Sequence, residues 1–291
     1  MKIGKKLAGT LSIPVIVLAV CLLISGIKGT VLFDSQLSWI TFIRAAANVV
    51  LVTFALSINL NSGRFDFSIG SVALLSSVIS SMIATKLNLS AVWMLALSVL
   101  FGAVLGLISG LIYVSVKLPP IIVSLAVALF YEGFAFTLTG GHGVSFAGNA
   151  SLLGFGTIRN YLLVIAVCLA FMIIVYDHTK FGYEYKALLS GQKVAVNTGI
   201  REIPNAVLCY VIAGMLMGAQ GFVSATNNGT ITMALNFGSI SPMFMAFLPM
   251  FIGSIFGRYS SQPIAVFMGA VVQAFLTSGL SALGASSSLM T

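Results

Sequence analysis

Ala91-Val92-Trp93-Met94-Leu95-Ala96-Leu97-Ser98-Val99-Leu100-Phe101-Gly102-Ala103-Val104-Leu105-Gly106-Leu107-Ile108-Ser109-Gly110-Leu111-Ile112-Tyr113-Val114-Ser115-Val116 contains no Asp, Glu, Lys or Arg. A helix crosses the hydrocarbon core of a bilayer with about 20 mostly apolar residues, and this run exceeds that. Outward from it in both directions the pattern repeats, with apolar runs at 11–27, 40–60, 66–84, 120–138, 161–176, 205–225, 241–256 and 263–284. These are helix lengths, not the roughly 10-residue alternating segments of an outer-membrane barrel. Composition agrees: of 291 residues, 59% are hydrophobic and 7% charged, and mean hydropathy is +1.10. A soluble domain is about 25% charged, and 7% cannot cover a 30.5 kDa globule in water. A soluble enzyme, a disordered tail and a nucleic-acid-binding domain are excluded. The expected fold is all-α, a polytopic bundle of about nine or ten spans, with 1–291 as a single transmembrane domain bathed in lipid.

The net charge of +8, from 14 Lys+Arg against 6 Asp+Glu, then reads as a topology signal. The first run follows Lys2, Lys5 and Lys6, is long for a signal-peptide core, and ends at Gly26-Ile27-Lys28 without a small-x-small cleavage site. It is expected to remain as the first span. With the N-terminus in the cytoplasm and the spans alternating, Lys2, Lys5, Lys6, Arg64, Lys117, Lys180, Lys186, Lys193, Arg201 and Arg258 fall inside. Only Lys28, Lys86 and Arg159 fall outside, with Arg44 at or within a span. The longest inner segment, 177–203, is the natural docking surface for a cytoplasmic partner. Cys21, Cys168 and Cys209 sit in apolar runs as packing residues. His142 and His178 are far apart, and no Cys/His cluster suggests a metal. No GxxxxGK[ST] phosphate loop occurs, so if ATP drives this protein another chain binds it.

Four segments carry more than apolarity. Asn61-Ser62-Gly63-Arg64-Phe65-Asp66-Phe67-Ser68-Ile69-Gly70-Ser71 separates two runs by very few residues. Asp66 and then Ser68 suit the start of the third helix as caps. Two readings stand: an interfacial turn with a capping aspartate, or a broken helix whose polar end lines a solute path. Pro119-Pro120 ends one helix and starts the next; the run it opens carries Glu132, read either as interfacial or as an intramembrane carboxylate. Within Thr179–Ile200 the sequence predicts two short helices ended by Gly191 and Gly199, each in the left-handed conformation. The second, from Gln192 to Thr198, is a two-turn rod on which Val194, Ala195 and Val196 offer apolar contact, flanked by Gln192, Lys193 and Asn197. Gly102, Gly106 and Gly110 form a stripe that another helix can approach closely; packing within the fold is favoured over a dedicated dimer face.

Taken in order, these segments resemble the membrane permease subunit of ABC importers of the ribose, xylose, galactoside and autoinducer-2 type. That family's Gly-Gly-Ile-Asp-Leu-Ser-Val-Gly-Ser corresponds to Ser62-Gly63-Arg64-Phe65-Asp66-Phe67-Ser68-Ile69-Gly70-Ser71. Its Pro-Pro-Phe-Ile-Val-Thr-Leu corresponds to Pro119-Pro120-Ile121-Ile122-Val123-Ser124-Leu125. Its Thr-x-Phe-Gly-Arg…Gly-Gly-Asn…Ala-Ala…Ser-Gly-Ile corresponds to Thr179-Lys180-Phe181-Gly182…Ser190-Gly191-Gln192…Ala195…Thr198-Gly199-Ile200. Three departures stand out. Glu132-Gly133 replaces the family's Arg-Gly, a Gly-Gly…Gly-Gly turn is reduced to Gly253-Ser254-Ile255-Phe256-Gly257-Arg258, and a further apolar segment expected after 263–284 does not precede Thr291.

The resemblance implies a type II ABC importer fold with broken helices, in the bacterial inner membrane, dimerised with a second permease of the same or a different chain. It implies no cofactor in this chain, ATP on a cytoplasmic ABC ATPase, and an extracytoplasmic binding protein that delivers a sugar or sugar-like solute. The ATPase would dock through Gly191, Gln192, Lys193, Val194, Ala195, Val196, Asn197 and Gly199. Asp66, Ser68, Asn227 and Asn228, polar groups beside apolar spans, are the candidates for the translocation path. The alternative is a gradient-driven transporter with Asp66 and Glu132 as its ion-coupling carboxylates. A non-transport scaffold ranks below both, and a membrane enzyme lower still, because no nucleophile–base pair or metal set is present.

Overall fold

The computed structural model describes residues 2–29 and 31–282. Its long helices are α1 (Lys2–Ile27), α2 (Gln36–Asn61), α3 (Ile69–Lys86), α4 (Ala91–Val116), α5 (Pro120–Thr139), α7 (Ile158–His178), α8 (Lys180–Asn197), α9 (Glu202–Asn228) and α12 (Gln262–Ala282). Shorter pieces complete the chain: α6 (Ala150–Leu153), a 3-10 turn at Gly238–Ile240, α10 (Ser241–Met245), α11 (Phe247–Phe256), and the strands β1 (Val144–Ser145) and β2 (Thr230–Ile231). Among the described residues nine stretches are long and apolar enough to span a membrane, one for each apolar run in the sequence, with 238–256 assembled from the 3-10 turn, α10 and α11.

α9 is the central helix, buried along most of its length between α2, α3 and α4. Its closest neighbour is α4, and the reason is glycine. Gly102, Gly106 and Gly110 of α4 face Gly214, Gly218, Tyr210 and Val207 of α9, so that backbone lies on backbone. A Cβ on Gly106 would run into the Tyr210 carbonyl, and one on Gly214 into the Gly102 carbonyl. Ser98 fixes the register by donating its hydroxyl to the Gly218 carbonyl at 2.7 Å. Between helices in lipid this close packing supplies the attraction that the hydrophobic effect cannot. The glycine stripe therefore serves the inside of the fold.

α3 handles its polar residues internally. The hydroxyls of Ser71, Ser76, Ser77, Ser80 and Ser81 each donate to the carbonyl three residues earlier. All five are buried, so these donors are satisfied where water is absent. α5 starts at Pro120 as expected, where the missing N–H does no harm. α1 is peripheral, packed on α12, with Val15, Leu23 and Ile27 exposed.

The stretches 139–160 and 226–240, which separate apolar runs in the sequence, are folded. β1 pairs antiparallel with β2, Val144 opposite Ile231 and Ser145 opposite Thr230. The Phe146 amide donates to the Gly229 carbonyl at 3.0 Å, and Phe146 and Leu152 are fully buried. This ribbon marks one end of the bundle. α8 marks the other.

Candidate functional site

The turn between α2 and α3 holds Asp66, which is 2% exposed. One carboxylate oxygen accepts from the Asn59 side-chain amide at 2.9 Å. The other accepts from the Ser68 backbone amide at 2.9 Å and the Ser68 hydroxyl at 2.6 Å. Asp66 thus arrests the chain ahead of the helix, which begins at Ile69 rather than at 66. Ser68 occupies the N-cap position, but its side chain caps nothing and bonds back to Asp66. This corrects the expectation that both residues cap: Asp66 does the holding. The gap between Asp66, Ser68, Gly106, Ser109, Tyr210 and Gly214 is too small to admit water.

A polar cavity of about 190 Å³ opens on the other side of Gly70. Gly70, Ala73 and Ser77 of α3 form one wall. Gln220, Gly221, Ser224 and Asn228 of α9 form the second, and the returning chain at Thr230, Thr232, Ala234, Gly238 and Ser239 forms the third. Gln220, Ser224 and Asn228 are spaced by four, so they make one stripe on α9. Gln220 is oriented by donating to the Asn48 side-chain oxygen at 3.2 Å. Among the described residues no Asp, Glu, Lys or Arg lines the cavity. Hydroxyls and amides without charge suit an uncharged, hydroxyl-rich solute. A larger cavity of about 410 Å³, between α2, α4, α7 and α9, is lined by Leu51, Leu95, Val99, Val164, Phe171 and similar side chains and suits acyl chains instead.

Of the four path candidates, Asn228 reaches the polar cavity. Asn227 is one residue, about 100° of helix, away from that stripe and is not among the lining residues. Asp66 and Ser68 lie in the closed interior. Ser77, Gln220, Ser224, Thr230 and Thr232 were missed by sequence reasoning. The i, i+4, i+8 series Gln220, Ser224, Asn228 was the signal that could have found three of the cavity's residues.

Glu132 is 1% exposed, inside the bundle rather than at an interface. It accepts from the Phe237 amide at 3.0 Å, the Ser239 amide at 2.9 Å and the Ser239 hydroxyl. Asn236 and Phe237 both have positive φ, at 55° and 67°, a conformation that is unusual for residues with side chains. Glu132 holds this turn in place and with it the third wall of the cavity. Replacing Glu132 with alanine leaves the buried Ser239 amide unpaired, costing about 1–3 kcal/mol, and frees the less buried Phe237 amide as well. The expected outcome is a lowered thermal midpoint of the detergent-solubilised protein, with Glu132→Gln falling between the two.

At the opposite end, α8 is two helices joined at Gly191, whose φ of 174° and ψ of 88° are extended backbone. This corrects the expectation of a left-handed Gly191; Gly199, with φ +96°, does adopt that conformation. The part before Gly191 is anchored. The Tyr185 hydroxyl donates to the Ile58 carbonyl at 2.8 Å, and burial pushes this phenol well above its usual range, so it stays a neutral donor. Lys186 pairs with Asp177 at 2.6 Å, and the Asn205 amide reaches the Phe181 carbonyl at 3.3 Å. The part after Gly191 exposes Val194 by 69% and Val196 by 42%, while Ala195 is 5% exposed and faces the protein. The expected contact surface is therefore Val194 and Val196, with Ala195 as its inner support. Gln192, the first residue of this part, donates to Glu202 at 2.7 Å, and the same Glu202 oxygen lies 3.7 Å from Arg64. Among the described residues no group of three or more His, Cys, Asp or Glu could hold a metal.

Comparison with known proteins matches residues 39–290 to the family described as branched-chain amino acid transport system / permease component. The ribose import permease of Bacillus subtilis is 26% identical over 200 residues, 66% of this chain and 61% of that protein. The galactose/methyl galactoside import permease of Haemophilus influenzae is 28% identical over 147 residues, 47% of this chain and 44% of that protein. The ribose import permease of Escherichia coli K12 is 25% identical over 260 residues, 84% of this chain and 77% of that protein. The chain thus spans less than two thirds of the first two relatives. No solved structure matches it.

Proposed function

The chain belongs to the permease-component family of branched-chain amino acid transport systems, and on that premise we propose that it is the membrane subunit of an ATP-driven importer of a sugar or sugar-like solute. It is a multi-pass inner-membrane protein and a transport subunit, not an enzyme. The curated relatives are named for ribose and galactosides. The polar cavity agrees with them better than with the amino acid in the family's description. A zwitterion needs charged partners when desolvated, whereas the polar side chains among those described around the cavity are uncharged hydroxyls and amides, set beside Leu74 and Ile231.

In this reading the whole chain is one permease unit and 177–203 is its coupling segment. The N-terminus is cytoplasmic, because that orientation puts ten basic residues inside against three outside. A cytoplasmic ATPase, which binds the ATP, docks on Gly191–Gly199 through Val194 and Val196. A binding protein delivers solute at the ribbon end, and a second permease completes the complex. Ser77, Gln220, Ser224 and Asn228 line the path, and the Asp66–Ser68 turn closes its inner end. The single observation that carries the reading is the hinged helix after Gly191, with Val194 and Val196 exposed beside Gln192, Lys193 and Asn197. Asp66 and Glu132 each accept three hydrogen bonds from fixed neighbours, a structural use that leaves the gradient-driven alternative without support.

The test is gentle extraction of the tagged chain from its native membrane. A stoichiometric ATPase is expected in the purified material. A chain that emerges alone under every detergent condition overturns the proposal. Within a working complex, Asn228→Ala is expected to lower uptake about five- to tenfold, the loss of one hydrogen bond worth about 1–1.4 kcal/mol. Uptake assays over a range of solute concentrations check it.

A further inference from the structure

Resting on the importer reading above, we propose that Glu202 and Arg64 are positioning residues: they form a switchable link that carries movement of the helix after Gly191 to the buried Asp66 turn. The geometry is contiguous. The helix before Gly191 is tied to the bundle by Tyr185, Asn205 and Lys186. The helix after it hangs from extended backbone at Gly191. Its polar tie to the bundle runs from the Gln192 amide nitrogen to Glu202 Oε1, at 2.7 Å. Glu202 opens α9, the central helix. From the same Oε1 it is 3.7 Å to Arg64 Nη2. The Arg64 side chain is 8% exposed, and its amide donates to the Asn59 carbonyl at 3.0 Å. Asn59 in turn donates to Asp66 at 2.9 Å.

One oxygen faces two donors, and the distances are unequal. A charge-assisted guanidinium–carboxylate bond closes to about 2.7–2.9 Å. At 3.7 Å the Arg64 contact is not closed, while the Gln192 bond is. Pulling the docked helix away releases Gln192 from Glu202. Glu202 then closes on Arg64, and Arg64 shares its backbone with the turn that holds Asp66. Returning the helix reverses the exchange. These are the two discrete arrangements that transmission between sites requires. Besides Glu202, the nearly buried guanidinium reaches only a weak acceptor among the described residues, the Cys209 sulfur at 4.0 Å, so closure on Glu202 is favoured once Gln192 leaves.

The experiment uses the full complex reconstituted in liposomes, with ATP hydrolysis and solute uptake measured on the same vesicles. Glu202→Gln keeps an acceptor for Gln192 but removes the charge that attracts Arg64. Hydrolysis is expected to stay within about twofold while uptake per ATP falls at least about tenfold. Gln192→Ala, at an exposed position that does not threaten folding, is expected to shift the same ratio in the same direction. It decides alone should Glu202→Gln fail to accumulate. Arg64→Gln combined with Glu202→Gln is expected to be no worse than the more impaired single variant, as members of one link are non-additive. Arg258→Ala, at an exposed position outside 177–203, serves as the neutral control. Unchanged uptake per ATP in Gln192→Ala and Glu202→Gln overturns the link, as do additive losses in the double variant. Parallel losses of hydrolysis, uptake and complex yield, with their ratio constant, also overturn it, since a purely structural role gives that result. If the unaltered complex shows no ATP-driven uptake, the importer reading falls and takes this inference with it. If it couples normally and the variants do too, only this inference falls.

Discussion

Replacing Gly106 with leucine is expected to eliminate the folded protein from the membrane. Gly106 faces α9 with no space: an added Cβ meets the Tyr210 carbonyl oxygen, and the Gly214 Cα stands at 3.2 Å. Both are mid-helix backbone atoms, which cannot rotate aside as a side chain can. Relief requires α4 and α9 to separate. That breaks the Ser98–Gly218 bond and opens the contacts of Gly102 and Gly110 along the same seam. Overpacking a core costs about 1–3 kcal/mol where side chains can adapt; here they cannot, and the cost lies at or beyond the top of that range. In lipid, no hydrophobic gain opposes separation of the helices. Size-exclusion chromatography of a fluorescent fusion reads the outcome: the folded peak is expected to vanish for Gly106→Leu. Gly133→Leu is the control, since a Cβ there meets nothing within 4 Å, and it is expected to retain the peak. A normal peak for Gly106→Leu would mean that the glycine seam does not hold the bundle together.

The same seam shows what a sequence can and cannot disclose. Helix length and apolarity are local, so the nine spans were legible within a few residues. The glycines at 102, 106 and 110 announced close approach by something, but Gly214 and Gly218 lie a hundred residues on, and no periodicity names a partner. Glu132 met the same limit. Its bonds go to Phe237 and Ser239, 105 and 107 residues away, so a carboxylate that pins a cavity wall read first as interfacial and second as an intramembrane carboxylate. Asp66 was legible in its local role, because that role depends on a residue two positions away. Its burial was not, because α4 and α9 provide it. The stretch 226–240 looked polar and loop-like; it folds inward because β1 and Glu132 satisfy its backbone. Gln220 and Ser224, polar residues one helical turn apart inside an apolar run, gain a meaning only where α3 and the returning chain enclose a cavity in front of them.

Val194→Glu is expected to abolish uptake while leaving the level and fold of this chain in the membrane unchanged. Val194 is 69% exposed on the helix after Gly191, so a glutamate there stays hydrated in the isolated protein and costs folding little. Under the proposed docking the same position lies against the ATPase, and a carboxylate trapped in an apolar contact loses its water without gaining a partner. That penalty is several kcal/mol, and about 3 kcal/mol already weakens association more than a hundredfold. The ATPase is therefore expected to be lost on purification, and ATP-driven uptake with it. Ala195→Glu separates the two roles of this short helix. Ala195 is 5% exposed and faces the bundle, so a charge there disturbs the fold first and lowers the yield of the chain itself. If Val194→Glu keeps a stoichiometric ATPase and normal uptake, the docking surface lies elsewhere on 177–203. If the two variants behave alike, the helix after Gly191 is not held with Ala195 inward and Val194 outward. The prediction thus tests a difference between adjacent residues that composition cannot distinguish and that burial makes explicit.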